Sequence, residues 1–593
     1  MNLHAPTALI RAWPRLLAAA LIALGAVAHA AEPVALRLIG INDFHGNLEP
    51  ATLSLTLPDP QAPGGKPLRV PVGGAAAVSG LVKTLRAGAP HSLMLSAGDL
   101  IGASPLVSTL FRHESTIEVM NAIGLEVGAV GNHEFDAGIA ELLRVAKGGC
   151  AATQPDDVAT SCGLERYTGA KFPMLAANVL DAQGRPVLAP YVIRRFAGIP
   201  VGIIGTVTKT TPTIVVPSGV AGLRFVDEAD AVNRAARELQ ARGVKAIIAV
   251  FHEGGELGSS QNRGDWNDTR CPDRSGPIFD IAQRLVPEIS VLFTAHTHQG
   301  YRCIVDGRTI IQGTSYGRGL SVVDIELDPK TRQIITSRTR SINLPVVNEQ
   351  TDPALRERLA AALPAPYDEV LRTTRPDAAI AAQVARYSAI VAPKAERPVG
   401  TITDRFGRGG PTDSAAGRLI ADSQLAATHE SAQGGAQIAF MNPGGIRSDL
   451  ECKGTPPCVV TFGQVFTMQP FGNSLVVMTL TGAQIKTLLE SQQKRDEPVF
   501  LQPSQGFAYT WKADAPAGEH ARDLTLNGEP LASERAYRVT VNSFLAEGGD
   551  GFVTLLQGAA RTGGGQDIDA MLGYLKAAPA RAPIAQPRVT RLP

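Results

Sequence analysis

The sequence predicts an α/β fold in two large units, and three observations carry that reading. Apolar, β-rich runs alternate with helical patterns from residue 34 to about 345. Five of those runs end in short polar clusters of Asp, His and Asn, where open α/β sheets place their ligands. A second block of the same kind begins near Pro398 and runs to about Leu575. At 593 residues the chain is also too long for one core.

In the first unit the strands fall at Val34–Ile41, Ser92–Ser96, Leu125–Val130, Val201–Gly205, Lys245–Phe251 and Ile289–Thr294. Helical patterns occupy Gly74–Ala87, Ser115–Ile123, Ala229–Arg242 and Pro277–Leu285. Residues 145–172 and 254–276 are polar and Gly-rich, contain Cys, and read as disulfide-tied surface loops. Residues 346–396 change to Ala, Leu, Arg and Glu, which predicts a helical connector outside either core. The second unit, 397–575, holds a helix at Ser414–Thr428, strands at Gln437–Asn442, Ser474–Leu480 and Tyr537–Asn542, and a helix at Thr481–Gln492. The Pro- and Ala-rich stretch 576–593 reads as a loose tail.

Residues 1–30 carry Arg11 and Arg15, an apolar run from Leu16 to Ala28, and Ala28-His29-Ala30 ahead of Ala31. That is the pattern of a secretory signal peptide cleaved near Ala30. No Cys marks a lipid anchor there, and no apolar tail follows Arg588. An exported protein without a membrane span is expected, and the Ala- and Arg-rich leader points to a periplasm. The six cysteines fit an oxidising compartment, and the sequentially nearest pairing is 150–162, 271–303 and 452–458. A net charge of +1 gives no electrostatic signal for nucleic acid polymers or anionic membranes.

The chemistry concentrates at the strand ends. The first strand leads to Asn42-Asp43-Phe44-His45, the second to Gly98-Asp99, and the third to Gly131-Asn132-His133-Glu134-Phe135-Asp136. The fifth leads to His252-Glu253 and the sixth to His296-Thr297-His298. Asp, His and Asn are ligands for divalent metals with mixed oxygen and nitrogen coordination. Seven candidates (Asp43, His45, Asp99, Asn132, His252, His296 and His298) exceed the needs of one ion. Two ions sharing a carboxylate fit better, as in phosphoryl hydrolysis. A single His here could be a core residue, and Asp136 could be a helix N-cap. Yet the four His ligand candidates and His133 make five of eleven histidines in the chain, all at one structural position.

This ordered set, DxH, GD, GNHExD, H and HxH, resembles the calcineurin-like metallophosphoesterases. The second unit narrows the resemblance to the secreted 5′-nucleotidase family. Asn442-Pro443-Gly444-Gly445-Ile446-Arg447 is similar to that family's NGGGIR loop, Gln469-Pro470-Phe471-Gly472-Asn473 carries an aromatic, and Phe544–Phe552 reads FLAEGGDGF. The resemblance implies a two-sheet sandwich flanked by helices, a helical connector and a nucleoside-binding α/β domain. It implies one metal held by Asp43, His45, Asp99 and His298, and a second by Asp99, Asn132, His252 and His296. Zinc, manganese, iron and cobalt all suit these donors. His133 would meet the scissile phosphate, with Asp136 orienting its ring, as metal-bound hydroxide attacks in line. Phe471 and Phe544 would sandwich the base, Asp550 would take the ribose hydroxyls, and Asn442, Gly445 and Arg447 would line the pocket.

Three positions depart from the pattern. Ala295 stands where Gly usually precedes HxH, with a methyl that would crowd the site. Pro443 replaces a usual Gly and stiffens its loop. A second arginine is expected ahead of the Ser414–Thr428 helix, and Arg408 is assigned to it, with Arg405 the other option. The implied activity is hydrolysis of nucleoside 5′-monophosphates or UDP-sugars, with one domain rotating against the other. The alternative is a 2′,3′-cyclic nucleotide 2′-phosphodiesterase with 3′-nucleotidase activity. Intact Asn132-His133-Glu134 weighs against a sulfur-oxidation thiosulfohydrolase, and the complete ligand set against a non-catalytic binding protein.

Overall fold

The computed structural model describes residues 32–50, 53–62, 66–152, 160–257, 265–494 and 497–592. Residues 1–30, where a signal peptide is expected, lie outside the described residues. Among the described residues no helix is long and apolar enough to cross a membrane.

The first unit is a sandwich of two six-stranded sheets. One runs 340–345, 319–327, 34–41, 92–96, 127–129, 174–175, and the other 300–305, 308–313, 289–293, 246–252, 199–207, 191–196. Strands 34–41, 92–96 and 127–129 are parallel, as are 199–207, 246–252 and 289–293. Parallel strands are covered on both faces and so read as continuous apolar runs; all seven residues of Ala246–His252 are buried. Between the sheets Leu36, Leu38, Leu93 and Val127 meet Val201, Ile203, Ile248 and Val291. Full burial of each such side chain stabilises by about 1.5–3 kcal/mol. Helices Ala75–Ala87 and Glu114–Ile123 cover one outer face, Glu228–Ala241 and Pro277–Arg284 the other. Ala295, with the methyl expected to crowd the site, is buried in this inter-sheet core.

The connector is helical as expected, but it does not lie outside the cores. Helices Pro353–Ala360, Tyr367–Thr373 and Ala378–Ala395 form there, but the last is a core element. It buries Ile380, Val384, Tyr387 and Val391, spaced as one helical stripe. That stripe packs against helices 75–87 and 114–123 of the first unit and 462–468 of the second. The surrounding alanines dilute the apolar signal in the sequence.

The second unit has a five-stranded sheet, ordered 502–503, 438–441, 536–542, 474–481, 559–566, and a four-stranded sheet, ordered 529–530, 521–526, 507–512, 589–592. Helix Ala415–Thr428 is capped by Ser414, whose hydroxyl accepts from Gly417 N–H at 3.0 Å. The tail is not loose. Val589–Leu592 pairs in parallel with Phe507–Lys512, and Val589 is buried. Just ahead of it, Arg588 donates to both oxygens of Asp422 at 2.7 and 2.8 Å, and its backbone N–H bonds Asp413. The Pro- and Ala-rich composition masks these anchoring residues. All three disulfides form as expected: Cys150–Cys162, Cys271–Cys303 and Cys452–Cys458.

Candidate metal centre and substrate cleft

The five polar clusters converge where strands of both sheets end. Asp43, His45, Asp99, His296 and His298 all hold left-handed backbone (φ +46° to +72°). Non-glycine residues in that region cost roughly 1–3 kcal/mol each. Five together are not what core packing alone would select. The glycines beside them allow the close approach: a Cβ on Gly131 would lie 2.1 Å from Asp99 Oδ1 and 2.7 Å from His252 Cε1.

The donor atoms lie within reach of single ions in three overlapping groups: Asp43–His45–His298, His45–Asp99–His133 and Asp99–His252–His296. His45 Nε2 is 3.2 Å from His298 Nε2 and 3.6 Å from Asp99 Oδ2. His298 Nε2 is 3.5 Å from Asp43 Oδ1. His252 Nε2 is 3.1 Å from Asp99 Oδ2 and 3.0 Å from Asn132 Oδ1. The outer nitrogens fix the tautomers: His45 Nδ1 donates to Gly102 O and His252 Nδ1 to Ala97 O, both at 2.9 Å. In their neutral forms, rings so oriented turn Nε2 lone pairs toward oxygen lone pairs. Such a convergence of acceptors calls for a cation, so the residues fit divalent metal ions.

The electrostatics agree. Burial holds His45 and His298 well below the ordinary imidazole value, which keeps them neutral as ligands must be. Burial lowers His296 too, helped by the charge of His252. Asp99 stays well below the usual carboxylate range despite its burial, because His252, His133 and His45 surround it. Burial drives Asp43 up to about 7. In His252, the Asp99 carboxylate outweighs burial and raises the imidazole to about 10, a proton that a cation would displace.

Asn132-His133-Glu134-Phe135-Asp136 forms a single 3-10 turn, His133–Phe135, and the following helix starts at Gly138. Asp136 is therefore not the N-cap of that helix; Ala137 holds that position, and Asp136 closes the 3-10 turn. Instead Asp136 Oδ2 accepts from His133 Nδ1 at 2.8 Å. Burial disfavours a charged His133, but Asp136 and Asp99 outweigh it and raise its pKa, which favours the protonated imidazole. Asp99 Oδ1 accepts from the His133 backbone N–H at 2.9 Å.

A cavity of about 270 Å³ opens from Asn132, His133 and His296 toward the second unit. Its far walls include Asn442, Gly445, Arg447, Phe471, Phe544 and Asp550, six of the seven residues assigned to substrate. The His133 and Phe471 rings stack across the two units with centroids 5.9 Å apart. Asn442 Nδ2 donates to Asp550 Oδ2 at 2.8 Å. Arg408 is the exception and does not line this cavity. Its guanidinium donates to the carbonyls of Ile446 and Arg447, both at 3.0 Å, and so steadies the loop that carries Arg447. Arg405 is engaged by Asp449 and Glu451.

Two kinds of residue escape the sequence reading. Glu134 is visible in the motif, but its residue type alone gives it no role there. Its buried carboxylate accepts from the N–H groups of Asp99, Leu100, Ile101 and Gly131 at 3.0, 2.8, 3.3 and 2.5 Å, clamping two ligand loops together. Asn542 accepts from Leu545 N–H at 2.9 Å and donates to Asn442 Oδ1 at 3.0 Å, joining the Phe544 turn to the Asn442 loop. Its place at a strand end ahead of a helical turn is the available signal. Asn473 and the Ile214–Val216 segment also line the cavity and carry no such signal.

Fold and site together define a two-domain metallophosphoesterase, with the metal donors on one domain and an aromatic, polar cleft on the other. Residues 398–557 match the family described as 5′-nucleotidase, C-terminal domain. The chain is 30% identical over 583 residues to the cell wall protein Lmo0130 of Listeria monocytogenes, covering 92% of this chain and 68% of that protein. It is 32% identical over 552 residues to the endonuclease YhcR of Bacillus subtilis, covering 92% of this chain and 40% of that longer protein. The crystal structure of a 5′-nucleotidase precursor from Thermus thermophilus superposes with a TM-score of 0.71 at 26% identity, over 94% of this chain and 99% of that one. The chain belongs to the 5′-nucleotidase family.

Proposed function

We propose that this protein is an exported hydrolase that removes phosphate from nucleoside 5′-monophosphates with two divalent metal ions. The site of action is the periplasm, as the leader and the three disulfides suggest. One observation carries this reading: a single cavity joins the convergent donors Asn132 and His296 to the aromatic and acidic residues Phe471, Phe544 and Asp550. Asp43, His45, Asp99 and His298 would hold one ion, and Asp99, Asn132, His252 and His296 the other. When bound, such ions neutralise phosphate charge and activate water near neutral pH.

The chain's own groups do the rest. Protonated His133, held by Asp136, gives its proton to the leaving 5′-oxygen and offsets the charge growing there. Arg447 holds phosphate oxygens through its guanidinium fork, with Arg408 fixing its loop. Phe471 and Phe544 take the base by stacking, which accepts any base, and Asp550 accepts from the ribose hydroxyls.

The test is phosphate release from AMP, 3′-AMP, 2′,3′-cyclic AMP and UDP-glucose by metal-stripped protein, then with manganese or zinc restored. UDP-glucose cleavage is followed as UMP. Metal-dependent preference for AMP supports the proposal. Preference for the cyclic or 3′ substrates replaces it with the phosphodiesterase reading, and no turnover with any metal overturns it.

A further inference from the structure

The nucleoside cleft has a wall that does not come from the nucleoside-binding domain. Ile214, Val215 and Val216 belong to the metal-bearing domain, yet they line the same cavity as Phe471, Phe544 and Asp550. Val215 is buried, whereas Ile214 and Val216 are half-buried, three apolar residues in succession where a one-turn helix gives way to a loop. Surface segments seldom hold such a run without something to cover it.

Both ends of this wall are tied down. The segment leaves strand Ile199–Val207, whose Val207 pairs with the ligand candidate His252. Thr208 N–H then donates to His252 O at 2.9 Å, and the Thr211 hydroxyl donates to Thr208 O at 2.6 Å. At the far end the turn Thr211–Ile214 packs against Gly549–Gly551, which contains Asp550. Ser218 N–H reaches Glu547 Oε2 at 3.5 Å. The wall is thus fixed to the metal centre on one side and abuts the FLAEGGDGF loop on the other.

We propose that Ile214 and Val216 determine specificity: they form an apolar face of the metal-bearing domain against which the sugar and base edge of a nucleotide pack. The nucleoside is then read by both domains at once. The inference rests on the nucleotide reading above. Its ligand class is a phosphate ester whose alcohol is a nucleoside; a phosphate ester of a small phenol reaches the metal centre without needing this wall.

The experiment compares AMP with p-nitrophenyl phosphate in the metal-loaded full chain, for wild type, I214A/V216A and the near-isosteric V216T. The readout is the ratio of kcat/KM for the two substrates. One methylene in an apolar pocket is worth about 10–200-fold in discrimination. The double variant is therefore expected to lower the AMP to p-nitrophenyl phosphate ratio about tenfold or more, chiefly through KM for AMP, and V216T to lower it less. An unchanged ratio overturns the inference, whether both substrates weaken together or neither does. Wild type that cleaves p-nitrophenyl phosphate but no nucleotide defeats the nucleotide reading itself, and this inference with it.

Discussion

His133 and Phe471 face each other across the two domains with ring planes only 23° apart. One ring belongs to the turn beside the metal donors, the other to the loop proposed to stack the base. The proposed proton donor and the proposed base platform therefore share one cleft. H133Q is expected to lower kcat by roughly 10²–10⁴, the usual worth of a general acid, with a smaller change in KM. D136N leaves an acceptor for the imidazole but removes the charge that favours its protonated form, so a smaller fall is expected. Steady-state kinetics on AMP distinguish the two.

Stripping the metal with a chelator should abolish phosphate release, and adding manganese or zinc should restore it. E134Q tests the clamp on the ligand loops: an amide cannot accept four backbone N–H groups as a carboxylate does. Loss of such outer support typically costs about 10–100-fold in metal affinity. Metal titration followed by elemental analysis reads this directly, and unaltered affinity would remove Glu134 from its supporting role.

Asp567 predicts a pH dependence of stability away from the metals. It is buried at the start of helix Asp567–Lys576, and its Oδ1 lacks a partner. Burial raises its pKa from 3.8 to about 7. A carboxyl raised on folding favours the folded state fully below the unfolded value, and that advantage is lost as pH rises to about 7. Against D567N, which stays neutral, wild type should lose ground between about pH 4 and 7 and no further above it. The whole difference is of the order of 4 kcal/mol at most. Urea midpoints at about pH 5 and about pH 8 measure it; equal gaps at both would refute the assignment.

Arg588 tests the anchored tail. R588A leaves the Asp422 carboxylate buried without its bidentate partner. Breaking a buried pair from one side costs about 3–5 kcal/mol. A denaturant midpoint shifted by much less would mean that strand Val589–Leu592 contributes little.

Much of the site was legible because ligand-type side chains followed apolar runs. Asp43, Asp99, Asn132, His252 and His296 needed only the rule that parallel strands deliver their ends to one edge. Contacts made through backbone were not legible. Glu134 acts on N–H groups 33–35 residues away, which no spacing in the sequence announces. Arg408 had the right residue type but turns to carbonyls of its neighbour loop, a choice fixed by local packing. The helix Ala378–Ala395 hid its stripe among alanines, and the tail hid Arg588 and Val589 behind prolines. In each case composition outweighed the few residues that decide the packing.

The stripe of Ile380, Val384, Tyr387 and Val391 has a practical corollary for dissecting the molecule. Because this one helix seals surfaces of both halves, the chain has no clean seam at residue 345 or at 397. A fragment cut before the helix would leave helices 75–87 and 114–123 without their cover, and one cut after it would strip helix 462–468. Any swing of one half against the other would therefore have to loosen or rearrange the packing of this shared helix on at least one of them.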